Sequence, residues 1–172
     1  MATTSILRLR PVPLTRGLFA PFGEVIETEG NPHYTINDGY AERYSDLAAV
    51  DVGEQEGQIR MNIFRALPRA LPMAIRMVER HPLSSQAFVA MSAQPFLVVV
   101  AARDTAPLPG DLHAFVTNGR QGVNYARGTW HHPLIAFRAP DEFLVIDRGG
   151  PGENCDEVFF GEGEIMLEAA TV

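Results

Sequence analysis

Fifteen glycines and thirteen prolines cut the 172-residue chain into pieces so short that little but strands fits between them. Eight such pieces stand out: 23–28 (GEVIET), 58–66 (QIRMNIFRA), 73–80 (MAIRMVER), 86–91 (QAFVAM), 96–102 (FLVVVAA), 133–138 (PLIAFR), 142–147 (EFLVID) and 157–160 (EVFF). Most are rich in β-branched or aromatic residues and bounded by Gly, Pro, Asn or Asp, the signature of short strands, and many short strands predict a barrel or sandwich. The stretch 73–80 also fits an amphipathic helix, but its place between Pro72 and Pro82 favours a strand. Helix is expected to be scarce, with a turn or two at 14–22 and at 111–116, where Asp111 offers an N-cap. No change of composition marks a linker. Residues 1–172 are therefore expected to form a single domain, with about the first 55 residues packed on or paired with the barrel.

A chain of this size can bury an adequate apolar core without disulfide staples. No apolar run approaches the ~20 residues needed to span a bilayer, and the N-terminal MATTSILRLRPVPL lacks the basic-then-apolar pattern of a signal sequence. A cytoplasmic protein with no membrane partner is the expectation. Cys155 is the only cysteine, so an internal disulfide and any multi-cysteine zinc site are excluded. A bound metal would be held by nitrogen and oxygen.

The net charge is −7, and no arginine cluster forms a phosphate-binding stripe, which argues against a nucleic-acid partner. All fourteen cationic side chains are arginine. The absence of lysine removes Schiff-base aldolases, pyridoxal-phosphate enzymes and lysine-activated nucleophiles. Arginine binds carboxylates through paired hydrogen bonds, so small carboxylic acids are plausible ligands.

Five histidines carry most of the chemical interest: His33, His81, His113, His131 and His132. His33 and His113 read as ordinary hydrogen-bonded or surface residues. The other three fall in testable spacings. Cupin barrels carry a first motif HxHxxxxE, in which alternate strand positions turn two ligands inward and the next strand returns a carboxylate. Here that frame is filled as Glu79-x-His81-x4-Gln86, with the neutral Gln86 weakening the grip on a metal. The second motif, PxGxxH, has its echo in Ala126-x-Gly128-x-x-His131, without the proline. Together they point to a cupin-like double-stranded β-helix, a jelly-roll barrel. Side chains alternate along a strand, so His131 and His132 cannot both face the interior unless a bulge re-aims one, and Pro133 is where a bulge would fall.

Two further features bear on the site. The loop DRGGPGENCD (147–156) leaves a strand without entering a helix, so it is no phosphate loop; it reads as a tight surface loop, a lip over the barrel mouth or a dimer contact. Cys155 has no histidine near it in sequence to support a nucleophilic role. Arg60, Asn62 and Phe64 share one strand face, with Arg65 on the other.

The blocks LTRGLFAPFGEVIE, INDGYAERYSDLA, ERHPLSSQAF, TNGRQGVNYARGTWHHPL and FLVIDRGGPGENCDE, in this order, resemble the ureidoglycolate lyase family over nearly the whole chain. The resemblance implies a cupin-like barrel, typically a homodimer, that converts (S)-ureidoglycolate into glyoxylate and urea in allantoin breakdown. It also suggests a divalent metal, nickel among those named, although the residues here do not demand one; such a metal would meet Glu79, His81, Gln86 and His131. Relatives commonly read NYH and YHD where this chain has Ala126 and Ser45.

Ureidoglycolate carries a hydroxyl, a carboxylate and a ureido nitrogen on one carbon. Its cleavage needs a base, an acid and a carboxylate anchor. For that reaction, the residue types assign proton exchange to His81 and either His131 or His132, with Glu79 orienting an imidazole. Arg65 or Arg148 would hold the carboxylate, and Gln86 and Asn124 the ureido group. The alternatives are a noncatalytic cupin that senses a small carboxylic acid such as glyoxylate, and a metal-dependent isomerase or dioxygenase on the same barrel.

Overall fold

The computed structural model describes residues 6–170; residues 1–5, part of the N-terminal stretch read above, and 171–172 lie outside it. Strands dominate, and the one α-helix among the described residues is the four-residue Arg16–Phe19, capped by Thr15. Two large sheets carry the fold. A seven-stranded sheet runs Asp156–Phe159, Met77–Arg80, Trp130–His131, Phe96–Ala101, His113–Val116, Val12–Pro13, with Ile135–Ala136 also on Phe96–Ala101. A five-stranded sheet runs Gly23–Ile26, Gly122–Tyr125, Gln86–Ala90, Asp141–Gly149, Gln58–Ala66. The remaining strands form a three-stranded sheet and the hairpin Tyr34–Ile36 with Ala41–Arg43.

The strand Phe96–Ala101 shows how these layers hold. All six of its residues are buried. Phe96, Val98 and Val100 meet Phe88, Val123, Phe143 and Val145 of the five-stranded sheet. Leu97, Val99 and Ala101 face the other way, against Leu9, Ile75, Ile165 and Leu167. A strand buried on both faces cannot alternate polar with apolar, which is why FLVVVA is an unbroken apolar run. Each such side chain stabilises the fold by about 1.5–3 kcal/mol relative to exposure. The two large sheets face each other across the first of these cores, the all-β cupin-like arrangement expected. Among the described residues they remain separately hydrogen-bonded, so the double sheet is open-edged and not a closed ring.

Several boundaries differ from expectation. The stretch 73–80 is two strands, Met73–Ala74 and Met77–Arg80, in different sheets. Residues 111–116 are not helical: a 3-10 turn, Pro109–Asp111, leads into the strand His113–Val116, because pairing with Phe96–Ala101 outweighs the local cap. Eight strands escaped the sequence reading, among them Gly122–Tyr125 and Trp130–His131, whose glycine, asparagine and histidine lack strand propensity. Within the first 55 residues, Leu7–Leu9, Val12–Pro13 and Gly23–Ile26 each pair with a strand from later in the chain.

Candidate active site

The site begins with alternation on Met77–Arg80. Val78 is fully buried in the outer core, so Glu79 faces the space between the large sheets. Glu79 lies in register with His131 on the next strand. Trp130 belongs to the outer core with Val78, which turns His131 inward beside Glu79. Arg80, on the outer face, lies 4.7 Å over the Trp130 ring and pairs with Asp156 at 2.8 Å.

His81 stands where this strand ends, since Pro82 has no N–H to continue the ladder. Its Nδ1 bonds Asn154 O at 2.7 Å and its Nε2 bonds Gln86 Oε1 at 3.1 Å. Five residues later the chain has crossed to the other large sheet, so His81 and Gln86 face each other from opposite walls. Both partners of His81 are carbonyl oxygens, which hold the ring between the loop and the opposite wall. Asp147 lines the same pocket, and Asn62 Nδ2 meets its carboxylate at 3.0 Å. Burial raises Asp147 above its ordinary range, and the neighbouring Gln86 amide acts the other way.

His131 is the most enclosed member. Its ring stacks on Tyr125, centroids 4.3 Å apart and planes 14° from parallel, and its Nδ1 bonds Thr129 O at 3.0 Å. Because that carbonyl only accepts, Nδ1 carries the proton in the neutral ring. Nε2 is buried with no hydrogen-bond partner among the described residues, 3.6 Å from Glu79 Oε1. His81 Nε2 is 4.0 Å from the same oxygen. Contact with His131 holds Glu79 below the ordinary carboxylate range despite its partial burial. Burial pushes His131 down, against the pull of Glu79. The pair is poised over one proton or one cation: without either, a lone pair faces a carboxylate.

A divalent cation would satisfy that orphaned nitrogen. Glu79, His81 and His131 each offer one ligand atom, all within 4.8 Å of one another. Two imidazoles and a carboxylate suit a divalent transition ion. Gln86 Oε1 is engaged with His81 instead.

His132 takes no part in this cluster. Its N–H donates to Val99 O at 2.9 Å, which places it beside an outer-core residue, and its Nδ1 bonds Pro133 O at 2.7 Å. The ladder then changes phase: His131 pairs with Val100 but Ile135 with Leu97, so one strand gains a residue between them. The bulge falls around Pro133 and leaves His131 alone facing inward. Burial lowers the pKa of His132 to about 4.

The pocket above the cluster, about 320 Å³, is lined by His81, Ser84, Gln86, Asp147, Arg148 and residues of the loop Glu153–Cys155. Asn154 pins that loop down, accepting from Leu83 N–H at 2.8 Å and donating to Ser84 Oγ at 2.9 Å. Cys155 Sγ is 4.0 Å from Glu79 Oε2, and burial together with Glu79, Glu157 and Asp156 pushes its thiol up, keeping it protonated.

Two residues expected at the site are elsewhere, and a third lines it but is already engaged. Arg65 pairs with Glu142 at 2.6 Å, five residues along the strand from the Asp147 level, or about 17 Å at ~3.4 Å per residue. Asn124 faces away from its inward neighbour Tyr125 and donates to Glu24 at 2.8 Å and Ala49 O at 2.9 Å. It shares a separate outer depression with Ala126, while Ser45 bonds Tyr34 on the hairpin side. Arg148 does line the pocket, but its Nε and Nη2 are spent on the carbonyls of Glu54, Gln55 and Pro151. Asp147, Asn154 and Tyr125 were missed by the sequence reading. The signal for Asp147 was its phase in EFLVID, two and four residues after the buried Val145 and Phe143.

The model of the ureidoglycolate lyase family matches residues 6–168. Proteins named ureidoglycolate lyase from Stutzerimonas stutzeri and Azotobacter vinelandii are 54% and 55% identical to the chain over 155 residues, covering 90% of it and 91% and 93% of the relatives. A third, from Pseudomonas aeruginosa, is 52% identical over 159 residues, 92% of this chain and 94% of its own. The chain belongs to the ureidoglycolate lyase family.

Proposed function

We propose that the chain eliminates urea from ureidoglycolate, giving glyoxylate, with the chemistry carried by Glu79, His131 and His81. The elimination needs no water. A proton leaves the hydroxyl, the carbon–nitrogen bond breaks as the carbonyl forms, and the departing nitrogen gains a proton. The observation that carries the reading is the Glu79–His131 pair, a carboxylate facing an otherwise unpartnered buried imidazole nitrogen beside the pocket.

Glu79 is the more exposed of the two, with 23% of its side chain accessible against 2% for His131. It meets the substrate hydroxyl and His131 behind it shares the charge. His81, held between Asn154 and Gln86, delivers the proton to the leaving nitrogen. A divalent metal held by Glu79, His81 and His131 would supply Lewis acidity toward the hydroxyl. Its attraction would also help an anionic substrate into a mouth that Asp147 and Glu153 make acidic. The reaction belongs to allantoin breakdown, in the cytoplasm.

The functional unit is a homodimer. The support is the strand Gln58–Ala66, at the edge of its sheet with Ile59, Met61 and Ile63 exposed by 55%, 72% and 53% on one face. Unpaired edge groups beside an apolar row are suited to pairing with a second copy.

The test supplies racemic ureidoglycolate and assays glyoxylate and urea with and without chelator. Both products in equal amounts support the lyase; binding of glyoxylate with no turnover under either condition leaves a small-acid binder in its place.

A further inference from the structure

We infer that Arg60 is the residue that holds the substrate carboxylate, a role that rests on the proposed lyase reaction. The five-stranded sheet brings four side chains into one row. Tyr125 is in register with Gln86, and Asp147 is in register with Arg60. The pairing of Ile146 with Ala87 puts Asp147 opposite Gln86 one step further on. Tyr125, Gln86, Asp147 and Arg60 therefore cross four adjacent strands on the inward face. The first three already serve the site: Tyr125 stacks on His131, Gln86 bonds His81, and Asp147 lines the pocket beside Gln86. Arg60 ends the row at the open edge.

Its guanidinium is placed but not consumed. A Cβ on Gly149 would lie 2.6 Å from Arg60 Nε and 2.9 Å from its Cγ, so the side chain occupies the slot that this glycine leaves. Only Nη1 is engaged, with Gln58 Oε1 at 3.1 Å and Ile59 O at 3.4 Å. Nε and Nη2 have no partner among the described residues, and no carboxylate lies within ion-pair distance. The two other arginines considered for this role are committed, Arg65 to Glu142 and Arg148 to backbone carbonyls. Two free N–H groups on one planar edge match the two oxygens of a carboxylate.

The experiment compares the full-length wild type with R60Q, R60K and G149A. Steady-state kinetics on ureidoglycolate are read beside calorimetric binding of glyoxylate, which needs no turnover. R60Q should raise KM and weaken glyoxylate binding by about 10- to 100-fold, with kcat within about threefold, the loss expected for a charged hydrogen bond. R60K should recover part of the binding. G149A leaves Arg60 in the sequence but fills its slot; the obstacle is a flexible side chain, so the fold should survive while KM rises. Unchanged KM and glyoxylate binding in both R60Q and G149A would overturn the role. A wild type that binds glyoxylate through Arg60 yet forms no products would retain the anchor and reject the lyase. One that neither binds nor reacts would reject both.

Discussion

The wall that carries Glu79 and His131 and the edge strand Gln58–Ala66 are built by opposite rules. On the wall the side chains are packed on both faces: Val78 and Trp130 in the outer core, Arg80 over Trp130, His131 against Tyr125. On the edge, apolar Ile59, Met61 and Ile63 face solvent, and Arg60 retains free donors. Rigid packing suits groups that must hold a proton in a fixed geometry, whereas an open edge suits groups that meet something from outside. The chemistry accordingly falls to the wall, and recognition and association fall to the edge.

The largest effect should come from the wall. Glu79→Gln keeps the shape of the side chain but removes its charge, and kcat should fall by about 10²- to 10⁴-fold, the usual worth of a positioned acid or base. Initial rates at saturating substrate check this, and a fall of less than fivefold would break the division between wall and edge. The edge counterpart is Met61→Glu. Two like charges brought together across a dimer cost several kcal/mol, so the dissociation constant should rise by at least about 100-fold. Sedimentation across a concentration series reads it; an unchanged association would move the dimer contact off this strand.

How much of this contrast was legible in the sequence depends on how local each signal is. FLVVVA announced a strand by itself, while its burial on both faces appears only in the packing. The face shared by Arg60, Asn62 and Phe64 followed from period-2 alternation alone, as did the conflict between His131 and His132. Alternation could not say which histidine turns inward, because that depends on Val100 and Leu97 pairing with His131 and Ile135 across a bulge. Nor could it rank the arginines. Arg65 and Arg148 look as available as Arg60 until Glu142 and the carbonyls at 54, 55 and 151 are brought beside them by strand register and loop packing. Asn124 was misplaced for the same reason, since its partners Glu24 and Ala49 lie 100 and 75 residues away.

A smaller effect separates the two neighbouring histidines of the wall. His132 has its pKa lowered to about 4 by burial, against an ordinary value near 6.5. Its folded form resists a proton that the unfolded chain accepts, so stability is full above about pH 6.5 and falls as the pH drops from there toward 4. The slope is about 1 kcal/mol per pH unit, and burial of His131 acts in the same direction. Urea unfolding at pH 7, 6 and 5 measures it. His132→Asn should flatten the dependence while leaving kcat near wild type; a collapse of kcat would return His132 to the catalytic group.

The smallest effect belongs to Arg65, and it sharpens the edge itself. Arg60 and Arg65 lie on the same strand, five residues apart, and odd spacing puts them on opposite faces. Arg65 is tied to Glu142 at the surface, with 74% of its side chain exposed. Exposed pairs contribute about 0–1 kcal/mol, because water screens the charges and both side chains lose freedom. Arg65→Gln should therefore lower the unfolding free energy by less than about 1 kcal/mol, with KM and kcat unchanged. Urea midpoints and steady-state kinetics on the one variant are enough. A rise in KM for Arg65→Gln comparable to that for R60Q would mean that charge along the edge draws in the substrate without a dedicated anchor, and raising the salt concentration would then erase both effects together.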